Sequence, residues 1–335
     1  SAVRGLAALG VSPGALEARG TRLAGIRYIS PRGRRAEARF EPGALSVGLR
    51  RVQLSELLLE RAAELATLEL RLDSAARVTS EGGRPCVSVA GEHWRPRLLI
   101  GADGLNSGVR RALGIASQLG PRRRYGVRRH FDIAAWSDHV EVYFGRGLEA
   151  YVTPLGDGVN IAFLWTPELI EAGDGAAAPF AALLARFPEL EQRVAGATAL
   201  DRARGAGPFD QHPVERVRAG LALVGDAGGY IDALTGEGVG LALTQALALE
   251  RAVVPFLRSR ARSLVPCALL ERFLRDADAR TAANRQLTRV LLALIDHPWT
   301  LEPVLALLGA SETLFKHLLG ASSGQRELWR LPSSA

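Results

Sequence analysis

Apolar residues recur at helical spacing over Val52–Leu65, with Leu54, Leu57, Leu58 and Leu65 on one face, and predict an amphipathic helix. Ser1–Leu9 has the same spacing and stops at Gly10, a residue suited to a helix C-cap. Over residues 21–50, short alternating runs (Ile26, Tyr28; Ala38, Phe40) are broken by Pro31, Gly33, Pro42 and Gly43, which predicts strands and turns. Strand-like runs follow at Leu68–Leu72, Ala76–Ser80 and Cys86–Ala90. Leu98–Ile100 then runs into the turn Gly101-Ala102-Asp103-Gly104, with a helix expected from about Asn106 to Leu113. Residues 123–165 alternate with period two: Val140–Phe144, Ala150–Thr153 and Val159–Phe163 are separated by turns at Gly145–Gly147 and Gly156–Gly158. That is the pattern of an antiparallel sheet. A Gly/Ala-rich linker at 172–178, short helices to about Val194, a buried strand at Leu221–Val224 and helical periodicity from Gly236 onward complete the chain. The order predicts an α/β domain interrupted by an inserted antiparallel sheet and followed by helices.

Composition narrows the class. With 335 residues, 47% of them hydrophobic and 23% charged, the chain can bury a sizeable core without disulfides or structural metal. Cys86 and Cys267 lie far apart, and the six histidines show no paired-ligand spacing, so a disulfide scaffold or metal enzyme is not expected. Lys316 is the one lysine among 42 basic residues, a skew better explained by G+C-rich coding than by a nucleic-acid surface. Arg122–Arg129, with Tyr125 interleaved, is read as a solvated face rather than a nucleic-acid patch; capture of a phosphate or an acidic carrier is the sharper alternative. No apolar run reaches the 18 or so residues of a membrane span, because Gln245, Glu250 and Arg251 interrupt Leu241–Leu257. No signal peptide is visible at Ser1. A soluble, cytoplasmic monomer or homodimer is expected, with peripheral membrane contact left open. Methionine is absent, position 1 included, and the natural N-terminal segment is expected to be missing.

Two motifs carry candidate chemistry. The first runs Leu98-Leu-Ile-Gly-Ala-Asp-Gly-Leu-Asn-Ser-Gly-Val-Arg110: a buried strand, a glycine turn with an aspartate, then a helix start. The second, Leu221–Gly240, repeats the strand-to-Gly-Asp logic at Gly225-Asp226 and adds a glycine-rich loop opening a long helix. Each puts a carboxylate at the carboxyl edge of a strand, where open α/β sheets bind ligands. A carboxylate there accepts hydrogen bonds from sugar or ribityl hydroxyls. Glycines allow close backbone approach, and the free N–H groups of a helix start favour negative charge.

These segments resemble the internal motifs of the flavoprotein monooxygenase superfamily with the para-hydroxybenzoate hydroxylase fold, whose relatives include geranylgeranyl reductases and flavin-dependent halogenases. Gly101-Ala-Asp-Gly104 with Ser107, Val109 and Arg110 is similar to its GADGxxSxVR motif; Gly225-Asp226-Ala227 through Gly236, Gly238 and Gly240 is similar to its flavin loop. Arg51-Val-Gln-Leu54 resembles the helix start whose first residue touches the cofactor. Order and spacing agree from about residue 1 to about 280. The resemblance implies a Rossmann-like FAD-binding domain made of residues 1–20, 51–118 and 206–280, a substrate sheet made of 21–50 and 119–205, and a C-terminal helical region at 281–335. It implies FAD, with NAD(P)H as reductant, bound through Gly225, Asp226, Gly236, Gly238, Val239 and Gly240 on one side and Asp103, Gly104 and Arg51 on the other. Asp226 would take the ribityl chain, and Arg110 would be an anion partner. The family's opening GxGxxG is not found in these residues and is expected to precede Ser1. Tyr151, Thr153, Phe163 and Phe209 are the candidate pocket residues for an apolar or aromatic substrate. No side-chain nucleophile is expected, because the chemistry belongs to the flavin.

The activity implied is monooxygenation by hydroxylation or epoxidation. Reduction of isoprenoid double bonds and halogenation are the alternatives, and a basic interaction protein that has lost catalysis is the alternative from another class. Leu234-Thr-Gly-Glu-Gly238 leans towards the reductase branch, whereas Ala150-Tyr-Val-Thr-Pro154 lacks that branch's tryptophan. Gly228-Gly229-Tyr230 departs from the Ala-His of many hydroxylases, and the halogenase W-x-W-x-I-P is absent.

Overall fold

The computed structural model describes residues 2–170, 179–295 and 298–322. It opens with helices α1 (Ala2–Ala8) and α2 (Pro13–Arg19), the latter capped by Ser12, whose hydroxyl accepts from the Ala15 amide. Strands β1 (Thr21–Arg22), β2 (Gly25–Ile29), β3 (Arg35–Arg39) and β4 (Val47–Gly48) lead to α3 (Arg51–Ala63). A meander of β5 (Arg77–Glu81), β6 (Arg84–Val89) and β7 (Glu92–Trp94) precedes β8 (Leu99–Gly101) and the short α4 (Gly108–Ala112). After β9 (Ser117–Leu119) come the long strands β10 (Tyr125–Asp132), β11 (His139–Gly145), β12 (Leu148–Leu155) and β13 (Gly158–Trp165). Helices α5 (Phe180–Leu184) and α6 (Pro188–Val194) follow, then β14 (Thr198–Ala199), β15 (Arg204–Ala206), β16 (Gln211–Pro213), β17 (Val217–Arg218) and β18 (Leu221–Leu223). The described residues end in α7 (Gly238–Arg258), α8 (Cys267–Ile295), α9 (Pro298–Ala310) and α10 (Glu312–Ser322). The fold is mixed α/β with a helical C-terminal region, as the apolar periodicities predict.

The largest sheet runs β14-β10-β13-β12-β11-β2-β3, with β15 beside β10. Its pairings are antiparallel except one: β11 lies parallel to β2, with His139 opposite Gly25, so the sheet is mixed rather than purely antiparallel. Parallel pairing demands a long crossover, and the more than one hundred residues separating these two strands provide it. Each face has its own core. One packs Phe131, Ile161, Phe163 and Trp165 against Phe180, Leu183 and Leu190 of α5 and α6. The other packs Ala36, Ala38, Val142 and Phe144 against Leu292, Leu301, Leu305 and Phe315 of the last three helices. The leucine stripe of the C-terminal helices is thereby spent within the chain.

Two further sequence expectations change, and one falls outside what the structure describes. Leu68–Leu72 is irregular chain rather than a strand, and its three leucines stay exposed, because no neighbouring strand pairs with it. The linker at 172–178 lies outside the described residues. Finally, α7 is long and apolar enough to cross a membrane by length and composition. Yet Leu243 packs with Leu6, Leu16 and Leu57, while Ala248, Leu249 and Val253 pack with Phe273 of α8. The polar Gln245 that interrupts its apolar run has an internal use described below.

Candidate functional site

Strands β8 and β18 run parallel, Leu221 opposite Leu99 and Leu223 opposite Gly101, so both motif turns leave the same edge side by side. The Val224 amide donates to the Gly101 carbonyl at 2.9 Å and locks the two exits together. Gly101 is required here: a Cβ would sit 2.6 Å from Leu223 Cδ2.

In the first turn, Asp103 is consumed locally. It accepts from Ser107 Oγ at 2.6 Å and from the Val109 amide at 2.9 Å, while Ser107 caps α4 by accepting from the Arg110 amide. Burial works to raise the Asp103 pKa, but these hydrogen bonds hold it below the ordinary carboxylate value. Gly104 follows with φ +82°, a left-handed turn position facing open space.

Arg110 does not have the role of an anion partner. Its side chain is buried and donates to the carbonyls of Ala227 at 2.9 Å and Asp226 at 3.4 Å, to the Leu105 carbonyl, and to Gln211 Oε1 at 2.8 Å. One guanidinium thus ties the first motif to the backbone of the second. Burial lowers its pKa against the pull of Asp103. The planar fork supplies several donors in fixed directions, which is why an arginine suits this position.

The second turn, Gly225–Gly228, is a single 3-10 turn. Gln245 of α7 reaches back to it, its Oε1 accepting from the Gly225 amide at 2.8 Å. Asp226 differs from Asp103. Among the described residues its carboxylate makes no hydrogen bond, and burial raises its pKa against the opposing field of Arg51. Arg51 is set there by its neighbours: Arg50 bonds Asp157 in the β12–β13 turn, Nε to Oδ1 at 3.0 Å, and the Gln53 side chain accepts from the Arg50 amide. Opposite, α7 starts without a side-chain cap. The amides of Gly238, Val239 and Gly240 make no hydrogen bond among the described residues, the first helical bond being Leu241 to Glu237. Gly236, with φ +67°, turns the chain into this helix. An unpartnered carboxylate, a cation and three free amides at a positive helix end can bind a ligand rich in hydroxyls with an anionic end.

The candidate pocket residues divide. Register places Tyr151, Ala162 and Arg128 on one face, and Ala150, Phe163 and Val127 on the other. Tyr151 meets the second motif directly, its hydroxyl donating to the Leu234 carbonyl at 3.1 Å. Thr153 lies half-buried on that same face opposite Asn160, whose buried Oδ1 has no partner. Phe209 is buried, its ring edge-on to Tyr230 at 5.3 Å. Phe163 is not a pocket residue: it is fully buried on the opposite face, stacked on Phe187 at 5.9 Å and edge-on to Phe180. Two positions along a strand keep a side chain on one face, but register decides which face an adjacent strand shares with it.

The arginine run is only in part a solvated face: Arg123 is exposed, but Arg124 is not. Arg124 is buried between Glu149 and Asp232, 3.2 Å from Asp232 Oδ1, and joins the sheet to the second motif's loop. Burial raises the Asp232 pKa while Arg124 pulls it down. Arg128 pairs with Asp201, which also accepts from His130 through both its backbone amide and its ring. The sequence pattern gave no sign of these pairings, since the partners lie 25 to 108 positions apart. A cavity of about 310 Å3 adjoins the second motif on the side facing α8; its lining includes Asp226, Tyr230 and Asp232 but neither Arg51 nor Asp103.

No protein-family model matches the chain, and no curated protein matches it. Solved structures do. The flavin-dependent brominase Bmp2 superposes with a TM-score of 0.75 at 16% identity, over 98% of this chain and 84% of that one. The myxobacterial chondrochloren halogenase CndH, described as a variant of FAD-dependent halogenases, gives 0.74 at 20% identity over 88% and 72%. PqsL from Pseudomonas aeruginosa, a probable FAD-dependent monooxygenase, gives 0.71 at 20% identity over 92% and 87%, and has also been solved with 2-aminobenzoylacetate. The likeness is one of fold.

Proposed function

We propose that this chain is a FAD-dependent oxidoreductase, and most specifically an NAD(P)H-dependent monooxygenase that hydroxylates or epoxidises an apolar or aromatic small molecule. The observation that carries the proposal is the unpartnered Asp226 carboxylate in a turn packed against α7, whose first amides, at Gly238, Val239 and Gly240, are free, with the charge of Arg51 acting on Asp226. These groups fit the ribityl and pyrimidine half of FAD: Asp226 would accept from ribityl hydroxyls, and the positive α7 start would favour the charge that the flavin gains on reduction. Asp103, Gly104 and Arg110 serve this half-site by holding the turns in place. Bound there, FAD supplies electron transfer from the nicotinamide to oxygen. Tyr151, Thr153 and Phe209 border the substrate on the side of the sheet that faces the second motif.

The adenine-dinucleotide half of FAD calls for a glycine-rich strand–turn–helix that these residues do not contain. No strand pairs with the outer edge of β8 among the described residues, and Ile100 there is 47% exposed. That edge is where such a strand would add. With it, residues 1–20, 51–118 and 206–280 form the cofactor domain, and 21–50 with 119–205 the substrate domain.

Halogenation is the second reading, favoured by the names of Bmp2 and CndH. The test is an absorption spectrum of the purified protein with added FAD, then NADPH under nitrogen and under air. Flavin bands that bleach with NADPH and return in air with peroxide release support the monooxygenase; dependence of product on bromide or chloride shifts the assignment to the halogenase. A protein that carries this glycine-rich segment and takes up no FAD refutes both.

A further inference from the structure

Helix α9 is apolar on both sides. Leu301, Leu305 and Leu308 recur at helical spacing, turn inward and join the core shared with the sheet. Trp299, Pro303, Leu307 and Ala310 recur at the same spacing on the opposite side, and all four are exposed, Trp299 to 76% and Leu307 to 57%. The helix has one charged side chain, Glu302, which is largely buried and lies 3.5 Å from Arg34. A helix packed on the surface of a globular domain ordinarily turns a polar face outward, and one that is apolar all round is covered on both sides. The inward stripe of α9 is covered by the chain itself; the outward stripe is not.

The margin of that stripe is cationic. Glu302 and Gly309 lie along one edge of α9, and both meet the hairpin that joins β2 to β3: Glu302 through Arg34, and Gly309 at the Arg35 carbonyl, 3.1 Å from where a side chain would begin. The hairpin tip, Pro31-Arg32-Gly33-Arg34, is exposed throughout. The β11–β12 turn stands beside it, since Arg146 and Gly147 line the same shallow hollow as Pro31 and Gly33, and Arg146 is exposed too. Arg32 and Arg146 have no ion-pair partner among the described residues. The acidic groups nearby are mostly engaged: Glu302 faces Arg34, Glu189 pairs with Arg193, and Glu312 pairs with Lys316. Arg186 and Glu168, which also line the hollow, cancel in net charge.

We propose that the outward stripe of α9, with the two arginine-bearing turns at its margin, is a docking surface for an anionic lipid bilayer. Trp299, Pro303, Leu307 and Ala310 enter the headgroup region, and Arg32, Arg34 and Arg146 meet the lipid phosphates. With 13 residues α9 is too short to span a bilayer, so it lies in the plane of the interface. An exposed tryptophan at one end suits that depth, because the indole has an apolar body and a polar N–H. A second copy of this chain is the weaker occupant. A stripe ~18 Å long on a helix ~10 Å wide offers about 200 Å2, whereas each side of a stable protein–protein interface gives about 800 Å2. None of the residues assigned to the cofactor lies in α9 or in these turns, so the surface stands whether or not FAD binds.

The test is co-sedimentation of the purified protein with vesicles of phosphatidylcholine alone and of phosphatidylcholine mixed with phosphatidylglycerol. Binding is expected to the mixed vesicles, to weaken as salt is raised, and to be at least tenfold poorer on phosphatidylcholine alone. Leu307→Asp and Trp299→Ser are each expected to lower the partition coefficient tenfold or more; both positions are exposed, so the circular dichroism and melting temperature of the variants should match those of the parent chain. Arg32→Gln and Arg146→Gln should each cost about fivefold on mixed vesicles and little on neutral ones. Failure to bind mixed vesicles, equal binding to both kinds, or unchanged binding in a folded Leu307→Asp variant would overturn the proposal. Concentration-dependent dimerisation that Leu307→Asp abolishes, without vesicle binding by the parent chain, would assign the stripe to a second copy instead.

Discussion

Replacing Arg110 with methionine isolates the tie between the two motif turns. The substitution keeps the length and apolar stem of the side chain and removes the guanidinium. It leaves the Ala227 and Leu105 carbonyls and Gln211 Oε1 without a donor in a buried setting. Each buried acceptor so stranded costs ~1–3 kcal/mol. The loss is offset in part because the variant no longer takes a charge out of water, and Gln211 keeps its bond from Nε2 to the Pro208 carbonyl at 2.9 Å. The net expectation is a destabilisation of ~3 kcal/mol, typical of breaking a buried polar network. Urea unfolding followed by the fluorescence of the five tryptophans measures it. Arg110→Lys keeps the charge but cannot span acceptors on three segments, and an intermediate loss of ~2 kcal/mol is expected. Because the bonded carbonyls flank Asp226, FAD affinity should fall at least tenfold, ~1.4 kcal/mol, in conditions where the variant remains folded. Unfolding of Arg110→Met within ~0.5 kcal/mol of the parent chain would refute this account, since it would mean water satisfies these groups as well as arginine does.

Other outcomes follow from the same geometry. Asp226 has a folded pKa raised mainly by burial, so its ionisation opposes folding: stability is highest below the unfolded carboxylate pKa and falls as pH rises through the folded one. Asp226→Asn should therefore be more stable than the parent chain at pH 7 in the absence of FAD, lose that advantage below about pH 4, and bind FAD poorly. Asp201 is the opposite case: burial raises its pKa, but hydrogen bonds from His130 and Arg128 outweigh this and hold it at about 2. Its stabilisation is present above the unfolded pKa and lost as pH falls towards 2. Asp201→Asn should cost about 1 kcal/mol at pH 7, after allowance for solvent screening of a partly exposed group, with the difference vanishing in acid denaturation profiles. Phe163→Ala should lower stability by ~3–5 kcal/mol and leave substrate KM unchanged, whereas Tyr151→Phe should do the reverse, with a small stability loss and a changed KM.

The local elements were legible from residue order because their causes are local. The apolar spacing of Leu54, Leu57 and Leu58 places α3 to within a residue at its start, and period-two alternation marks β11, β12 and β13. The two motif turns were legible for the same reason: a strand, an aspartate and a glycine with positive φ lie within a few residues of one another, the glycine preceding the aspartate at Gly225 (φ +58°) and following it at Gly104 (φ +82°). Partner identity was not. Arg110 reads as a ligand for an anion until the fold brings the Ala227 carbonyl to it across 117 positions. Arg124 reads as one member of a solvated run until Glu149 and Asp232 close over it. Gln245 reads as a flaw in an apolar helix until it meets the Gly225 amide. Phe163 and Tyr151 look equivalent because alternation alone says that faces alternate along a strand, and only the pairing register says which residues of neighbouring strands share one. Periodicity is written into each segment separately, whereas the pairing of buried charges and the choice of sheet face depend on contacts between distant segments and are decided only when those segments pack.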